Sequence, residues 1–210
     1  MKDSSKKTAG FLLQINAIKL QPSNPFTWAS GWKSPIYCDN RKTLSFPEVR
    51  SFIRDAFSSL VTELYPEAQL IAGVATGAIA HGVLVAEKLG LPFIYVRSGA
   101  KEHGLGNQIE GFYEKGQKVV VIEDLISTGG SSLNAVTALR EAGCEVFGML
   151  AIFSYEFKKA SDAFAACNCK LNTLSSYSVL IDEAVKTGYI GQSEVETLKK
   201  WRVDPASWGV

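Results

Sequence analysis

The chain has 210 residues, with 22 lysines and arginines against 21 aspartates and glutamates and a formal net charge of +1. That length buries a substantial core within one domain and does not require two. The balanced, dispersed charge provides no electrostatic footprint for nucleic acid, and no apolar run is long enough to span a bilayer.

The N-terminal segment MKDSSKKTAGFLLQINAIKL holds lysines and apolar residues, but Gln14 and Asn16 interrupt the apolar stretch and no convincing cleavage site follows. It does not read as a leader, so a cytoplasmic location is expected. Cys38, Cys144, Cys167 and Cys169 match neither zinc-site nor redox CxxC spacing, and His81 and His103 are the only imidazoles. These thiols are expected to be reduced and structural, with no transition-metal centre.

Ser45-Phe46-Pro47-Glu48 has the form of a capping box with proline in the first turn. The helix it predicts carries Val49, Phe52, Ile53, Ala56, Phe57, Leu60, Val61 and Leu64 at spacings of three and four, one stripe suited to covering a sheet. Leu70 to Val74 reads as a short buried strand, Ala75, Thr76 and Gly77 as a turn, residues 78–89 as a helix stopped by Gly90, and Pro92 to Val96 as the next strand. Residues 97–117 form a long connection rich in glycine and charge, a length that favours a functional lid.

A strand over 118–123, a helix over 132–142 ended by Gly143, and a strand over 145–153 complete the alternation. The expected fold is α/β, a doubly wound, mainly parallel sheet flanked by helices. Residues of about 46–175 would form its core, and about 1–45 and 176–210 a small appendage folded against it.

The most informative stretch is VVVIEDLISTGGS, residues 119–131. Four β-branched residues in succession imply a strand buried on both faces. Glu123 and Asp124 then stand at its carboxyl end, where open α/β sheets bind ligands. Ser127, Thr128, Gly129, Gly130 and Ser131 empty onto a helix N-terminus, whose free amides and dipole favour an anion. Alone, an acidic pair would merely solvate a strand end and a Ser/Thr/Gly run would be an ordinary cap. In this order they suit a phosphate ester.

The arrangement of four apolar residues, two acids, two apolar residues and a small-residue loop resembles the phosphoribosyl-pyrophosphate (PRPP) signature of type I phosphoribosyltransferases. RSGAKEHG, from Arg97, resembles the RKxxKxHG flexible loop of the orotate phosphoribosyltransferases within that family. FTWASGWKSPIYCDNR, residues 26–41, resembles their SGxxSPxY segment, and IAGVATGAIAHG, residues 71–82, their pyrophosphate-side loop. The likeness covers nearly the whole chain.

That resemblance implies transfer of phosphoribose from PRPP to N1 of orotate, giving orotidine 5′-monophosphate and pyrophosphate in pyrimidine biosynthesis, with Mg²⁺ as cofactor. The ion would be held mainly by PRPP oxygens and water, so no residue is assigned to it as a ligand. PRPP contacts would fall on Arg97, Lys101, His103, Glu123, Asp124, Leu125, Ile126, Ser127, Thr128, Gly129, Gly130, Ser131, Thr76 and Gly77, with Lys101, His103 and Asp124 catalytic. Ser127 and the backbone near Tyr37 and Cys38 would meet orotate. From spacing alone, Trp28, Trp32 and Tyr37 would be core or surface aromatics. The family's lid lysine acts across a dimer interface, which implies a homodimer with shared sites, and its N- and C-terminal segments form a hood over the site.

Ala29, Gly77, Ser98 and Tyr155 stand where the enterobacterial form carries charged residues, a pattern similar to the form of Gram-positive bacteria. Lys33 and Arg41 are the remaining candidates to neutralise the orotate carboxylate. A salvage transferase for uracil, a purine or xanthine would share residues 119–131 but not the SGxxSPxY and KxHG combination. A PRPP-sensing regulator would be expected to add a basic DNA-binding module, which this chain does not offer.

Overall fold

The computed structural model describes residues 2–27, 31, 33–97, 99 and 108–208. Helix α1 (Lys2–Gln14) leads into two short ribbons, β1 (Ile18–Leu20) with β4 (Ile36–Cys38) and β2 (Phe26–Thr27) with β3 (Lys33–Ser34), and then a 3-10 turn over Asn40–Ser45. Next come α2 (Pro47–Leu64), β5 (Leu70–Val74), α3 (Ile79–Leu89), β6 (Phe93–Val96), β7 (Ile109–Glu110), β8 (Lys118–Ile126) and α4 (Gly130–Glu141). The chain continues through β9 (Glu145–Ser154), α5 (Lys158–Ala166), β10 (Leu171–Ser176), α6 (Tyr177–Lys186) and α7 (Val195–Val203).

Six strands form the main sheet in the order β10-β9-β8-β5-β6-β7, parallel except for the β6/β7 pair. Alternate residues of the apolar runs divide between its faces. Ile71, Val120, Ile122, Leu150 and Ile152 join the core under α1, α2, α3, α6 and α7, whereas Leu70, Ala72, Val119, Val121 and Met149 join the one under α4 and α5. This is why Val119 to Ile122 shows no polar alternation: all four side chains are fully buried. Each contributes roughly 1.5–3 kcal/mol by leaving water, so the carboxylates at the strand end have a rigid mount. Among the described residues no helix is long and apolar enough to cross a membrane.

Local details depart from the expectations. The capping box does not form: Ser45 ends the 3-10 turn, and α2 starts at Pro47 after an extended Phe46 that makes no side-chain cap. Strand β8 runs three residues past Glu123, because β9 continues beside it to Ile126↔Ser154. Helix α4 begins at Gly130, two residues earlier than expected, so Gly130 and Ser131 are its first turn. Gly143 follows it at φ +89° and Gly90 ends α3 at φ +66°, as helix-stopping glycines should. The 97–117 connection contains β7, which returns antiparallel along β6, and the edge strand β10, polar in sequence, was not anticipated.

Candidate functional site

Strands β5 and β8 are adjacent, and α3 and α4, which follow them, pack on opposite faces of the sheet. Their carboxyl ends therefore open a crevice at the topological switch point. A cleft of about 310 Å³ lies there, bounded by residues 74–77 after β5 and by residues 123–132 of β8, its loop and the start of α4. Of the residues anticipated from the sequence, it gathers Thr76, Gly77, Glu123, Asp124, Leu125, Ser127, Thr128, Gly129 and Ser131. Ile126 is fully buried, its carbonyl taken by the Tyr155 amide at 3.0 Å, so its side chain serves the core. A larger hollow of about 870 Å³ among α1, α2 and β10 sets no acid pair against a helix start.

Strand alternation sends the two carboxylates to different surroundings. Glu123 is 5 % exposed; its Oε2 accepts from Ser132 Oγ at 2.8 Å and its Oε1 from the Asp124 amide at 2.8 Å. Burial, and then the charge of Asp124, push its carboxyl up to about 8. Asp124 is half-buried and lies against the Cα of Gly77, where a Cβ would overlap its carboxylate. This explains the glycine: a side chain at position 77 and Asp124 in its present place exclude each other. The Ala75–Thr76 peptide beside it is cis.

On the opposite wall, Gly129 precedes α4 at φ +83°, and an added Cβ would press on the Phe164 ring at 3.0 Å. Glycine is thus required there for both backbone and space. No side chain caps this helix start, which leaves its amides and dipole to an anion.

Residues 36–46 lie against the end of β8 beside the crevice. Asn40, 1 % exposed, donates from Nδ2 to the Asp124 carbonyl at 2.6 Å. Cys38 donates to Asn40 Oδ1 at 3.3 Å, and Thr43 Oγ1 to the Asn40 carbonyl at 2.5 Å. Burial, followed by the charges of Asp124 and Asp39, raises the Cys38 thiol well above its ordinary range, so it is a neutral donor. Tyr37 is exposed with its ring 5.7 Å from Phe26. Arg41 Nε pairs with Asp39 Oδ1 at 2.6 Å and also feels the charge of Asp124, which places it on this flank. Lys33 Nζ is spent on Thr27 Oγ1 at 2.8 Å.

Tyr155, one of the departures from the enterobacterial pattern, is buried among Phe153, Phe157 and Trp201 with ring centroids 5.3–5.7 Å apart. An aromatic cluster that anchors α7 thus occupies the place of a charge. At the root of the 97–108 connection, the Arg97 amide donates to the Gln108 carbonyl at 2.9 Å and Gln108 Nε2 returns to the Arg97 carbonyl at 2.8 Å. The Arg97 guanidinium stands 3.7 Å from Glu110. Lys101 and His103, and with them Trp28, Ala29, Trp32 and Ser98, lie outside the described residues. The four cysteines are unpaired. Sequence reasoning missed Ser132 and Asn40. The first had a signal in its place at the start of the helix after the glycines; the second had none.

The family model for a phosphoribosyl transferase domain matches residues 46–188. Over 208 residues the chain is 59 % identical to an orotate phosphoribosyltransferase of Phocaeicola vulgatus, covering 99 % of the chain and 98 % of the relative. It is 54 % identical to one of Bacillus cereus, with 96 % of each covered. The crystal structure of orotate phosphoribosyltransferase from Aeropyrum pernix superposes with a TM-score of 0.75 at 27 % identity, covering 87 % of this chain and 99 % of that one.

Proposed function

The chain belongs to the orotate phosphoribosyltransferase family, and from that membership we propose how its crevice joins phosphoribose to orotate in pyrimidine biosynthesis. The observation that carries the reading is one cleft that sets an uncapped helix start against two strand-end carboxylates. The amides of Ser127 to Ser131 hold the 5-phosphate of PRPP. Glu123 and Asp124 take the ribose hydroxyls, and the Asp124 charge favours the positive charge that develops on the sugar. The bond from C1 to orotate N1 forms as the bond from C1 to the pyrophosphate oxygen breaks; the electron pair leaves with pyrophosphate, and the N1 proton passes to pyrophosphate or solvent.

The donor set suits Mg²⁺ that arrives with its substrate. One acidic pair lies beside hydroxyls and amides, and among the described residues no cluster of three acidic, histidine or cysteine side chains offers a cage. Asp124 would face the ion, which supplies neutralisation of the departing pyrophosphate. Arg97 stands at the hinge of a lid that carries Lys101 and His103, and we assign Lys101 to the active site of the partner in a homodimer. Arg41 is the better placed of the two candidates for the orotate carboxylate, because Asp39 fixes it on the Tyr37 flank while Lys33 is engaged elsewhere. Segments 1–45 and 176–210 serve as the hood, and the enzyme works in the cytoplasm.

Protein supplied with PRPP, Mg²⁺ and in turn orotate, uracil, hypoxanthine or xanthine is expected to form nucleotide from orotate. Turnover of another base with orotate untouched would overturn the assignment. Mixed dimers carrying Lys101→Ala on one subunit and Asp124→Asn on the other should recover activity if sites are shared, and stay inactive if they are not.

A further inference from the structure

We propose that Asn40 is a positioning residue for the transfer reaction, holding the Asp124 main chain in place from the acceptor-side segment. The inference rests on the reading of the cleft as the PRPP site. Asp124 sits where β8 has lost its neighbour on one side and keeps only β9 on the other. The ladder to β5 ends at Gly73↔Ile122, and the register with β9 passes from Glu123↔Ala151 to Leu125↔Phe153. Side chains take over both main-chain groups of the skipped residue: Glu123 Oε1 accepts from its amide at 2.8 Å, and Asn40 Nδ2 donates to its carbonyl at 2.6 Å. Asn40 thus supplies the hydrogen bond that a neighbouring strand would otherwise give.

The amide is itself held in a buried relay. Its Oδ1 accepts from Cys38, which sets the orientation that turns Nδ2 toward Asp124. The Thr43 hydroxyl, fully buried, spends its single proton on the Asn40 carbonyl. It must therefore accept from His81 Nε2, 2.9 Å away, and this makes His81 a neutral Nε2–H tautomer. A continuous path thus runs from α3 through the 3-10 turn to the catalytic end of β8. Asn40 also follows Tyr37 and Cys38 by two or three residues, so displacement of the acceptor-side segment is passed to Asp124. With Gly77 leaving no slack beneath the carboxylate, a small main-chain shift would misplace it, and misplaced catalytic groups are costly.

The test is a double-mutant cycle read by steady-state kinetics with PRPP and orotate. Asn40→Ala is expected to lower kcat about 10- to 100-fold with the KM for PRPP changed less than about threefold, and to have almost no further effect in an Asp124→Asn background. An equal loss in both backgrounds, or unchanged kcat, would overturn the proposal. Asn40→Asp keeps the shape and guards against misfolding of the alanine variant. Its carboxyl can donate to the Asp124 carbonyl only when protonated, so its kcat relative to the parent should rise as pH falls from 8 to 5.5; a flat ratio would overturn the proposal. Failure of the parent enzyme to use orotate would instead refute the functional reading and is seen before any variant is made.

Discussion

Replacing Glu123 by glutamine keeps the side chain's shape and its bonds to Ser132 and the Asp124 amide while removing its titration. In the folded protein this carboxyl is 5 % exposed and holds its proton up to about pH 8, against 4.5 for an ordinary glutamate. Between those values the native state keeps a proton that the unfolded chain has released, so stability is full below pH 4.5 and falls as pH rises to about 8. At 1.36 kcal/mol for each tenfold in proton affinity, the group should cost the ligand-free protein about 3 kcal/mol between pH 5 and pH 8. For a chain of this size that is a fall of roughly 6–12 °C in Tm. Thermal unfolding of parent and Glu123→Gln side by side at pH 5 and 8 measures it: the difference in Tm between the two should widen toward pH 8 in favour of the variant. Parallel pH profiles would refute the reasoning, because they would mean that Glu123 is ionised in the native state throughout. The same variant should lose no more than about 10-fold in kcat/KM, the value of a neutral hydrogen bond to a ribose hydroxyl.

Gly77→Ala should push the Asp124 carboxylate from its seat and cut kcat/KM at least about tenfold with a change in Tm of no more than a few degrees; full activity in that variant would show that the seat is not needed. His81 is held down to about pH 4, first by burial and then by the Arg50 charge. The unfolded chain therefore takes up a proton between pH 6.5 and 4 that the folded chain refuses, and stability is lost as pH falls through that window, by about 3 kcal/mol at its end. His81→Gln, which keeps a donor for Thr43, should flatten this acid limb in denaturant titrations, and an unchanged limb would contradict the buried neutral tautomer. Arg41→Gln should raise the KM for orotate about tenfold or more and leave the KM for PRPP within about twofold; the reverse pattern would move Arg41 to the donor side.

The sheet was legible because Leu70–Val74 and Val119–Ile122 are apolar without alternation, and only burial on both faces produces such runs. The cleft-lining loop after β8 was legible because its residues are local: carboxylates, hydroxyls and glycines follow one another along the chain. Strand β10 escaped notice because its residues, LNTLSS, are half polar and lie at an edge, where only one side needs a partner. The start of α2 was misplaced because Ser45 has the right neighbours for a cap, yet the 3-10 turn before it claims the residue. Asn40 was illegible for a different reason. Its partner is 84 residues away, and nothing in the run Tyr-Cys-Asp-Asn-Arg distinguishes a buried asparagine from the exposed charges around it. Gly77 departs from a pattern with a charged residue there, but the cause, the Asp124 carboxylate lying over its Cα, exists only once two loops have been brought together.

The central claim is that the crevice between the loops after β5 and β8 holds the phosphoribosyl group with its base toward residues 37–41. A crystal structure of the protein with orotidine 5′-monophosphate tests this most directly. The 5-phosphate is expected on the amides of residues 127–131, the ribose hydroxyls on Glu123 and Asp124, and the pyrimidine beside Tyr37 and Cys38. A phosphate bound away from the α4 start, or a base lying over Thr76 and Gly77, would contradict it.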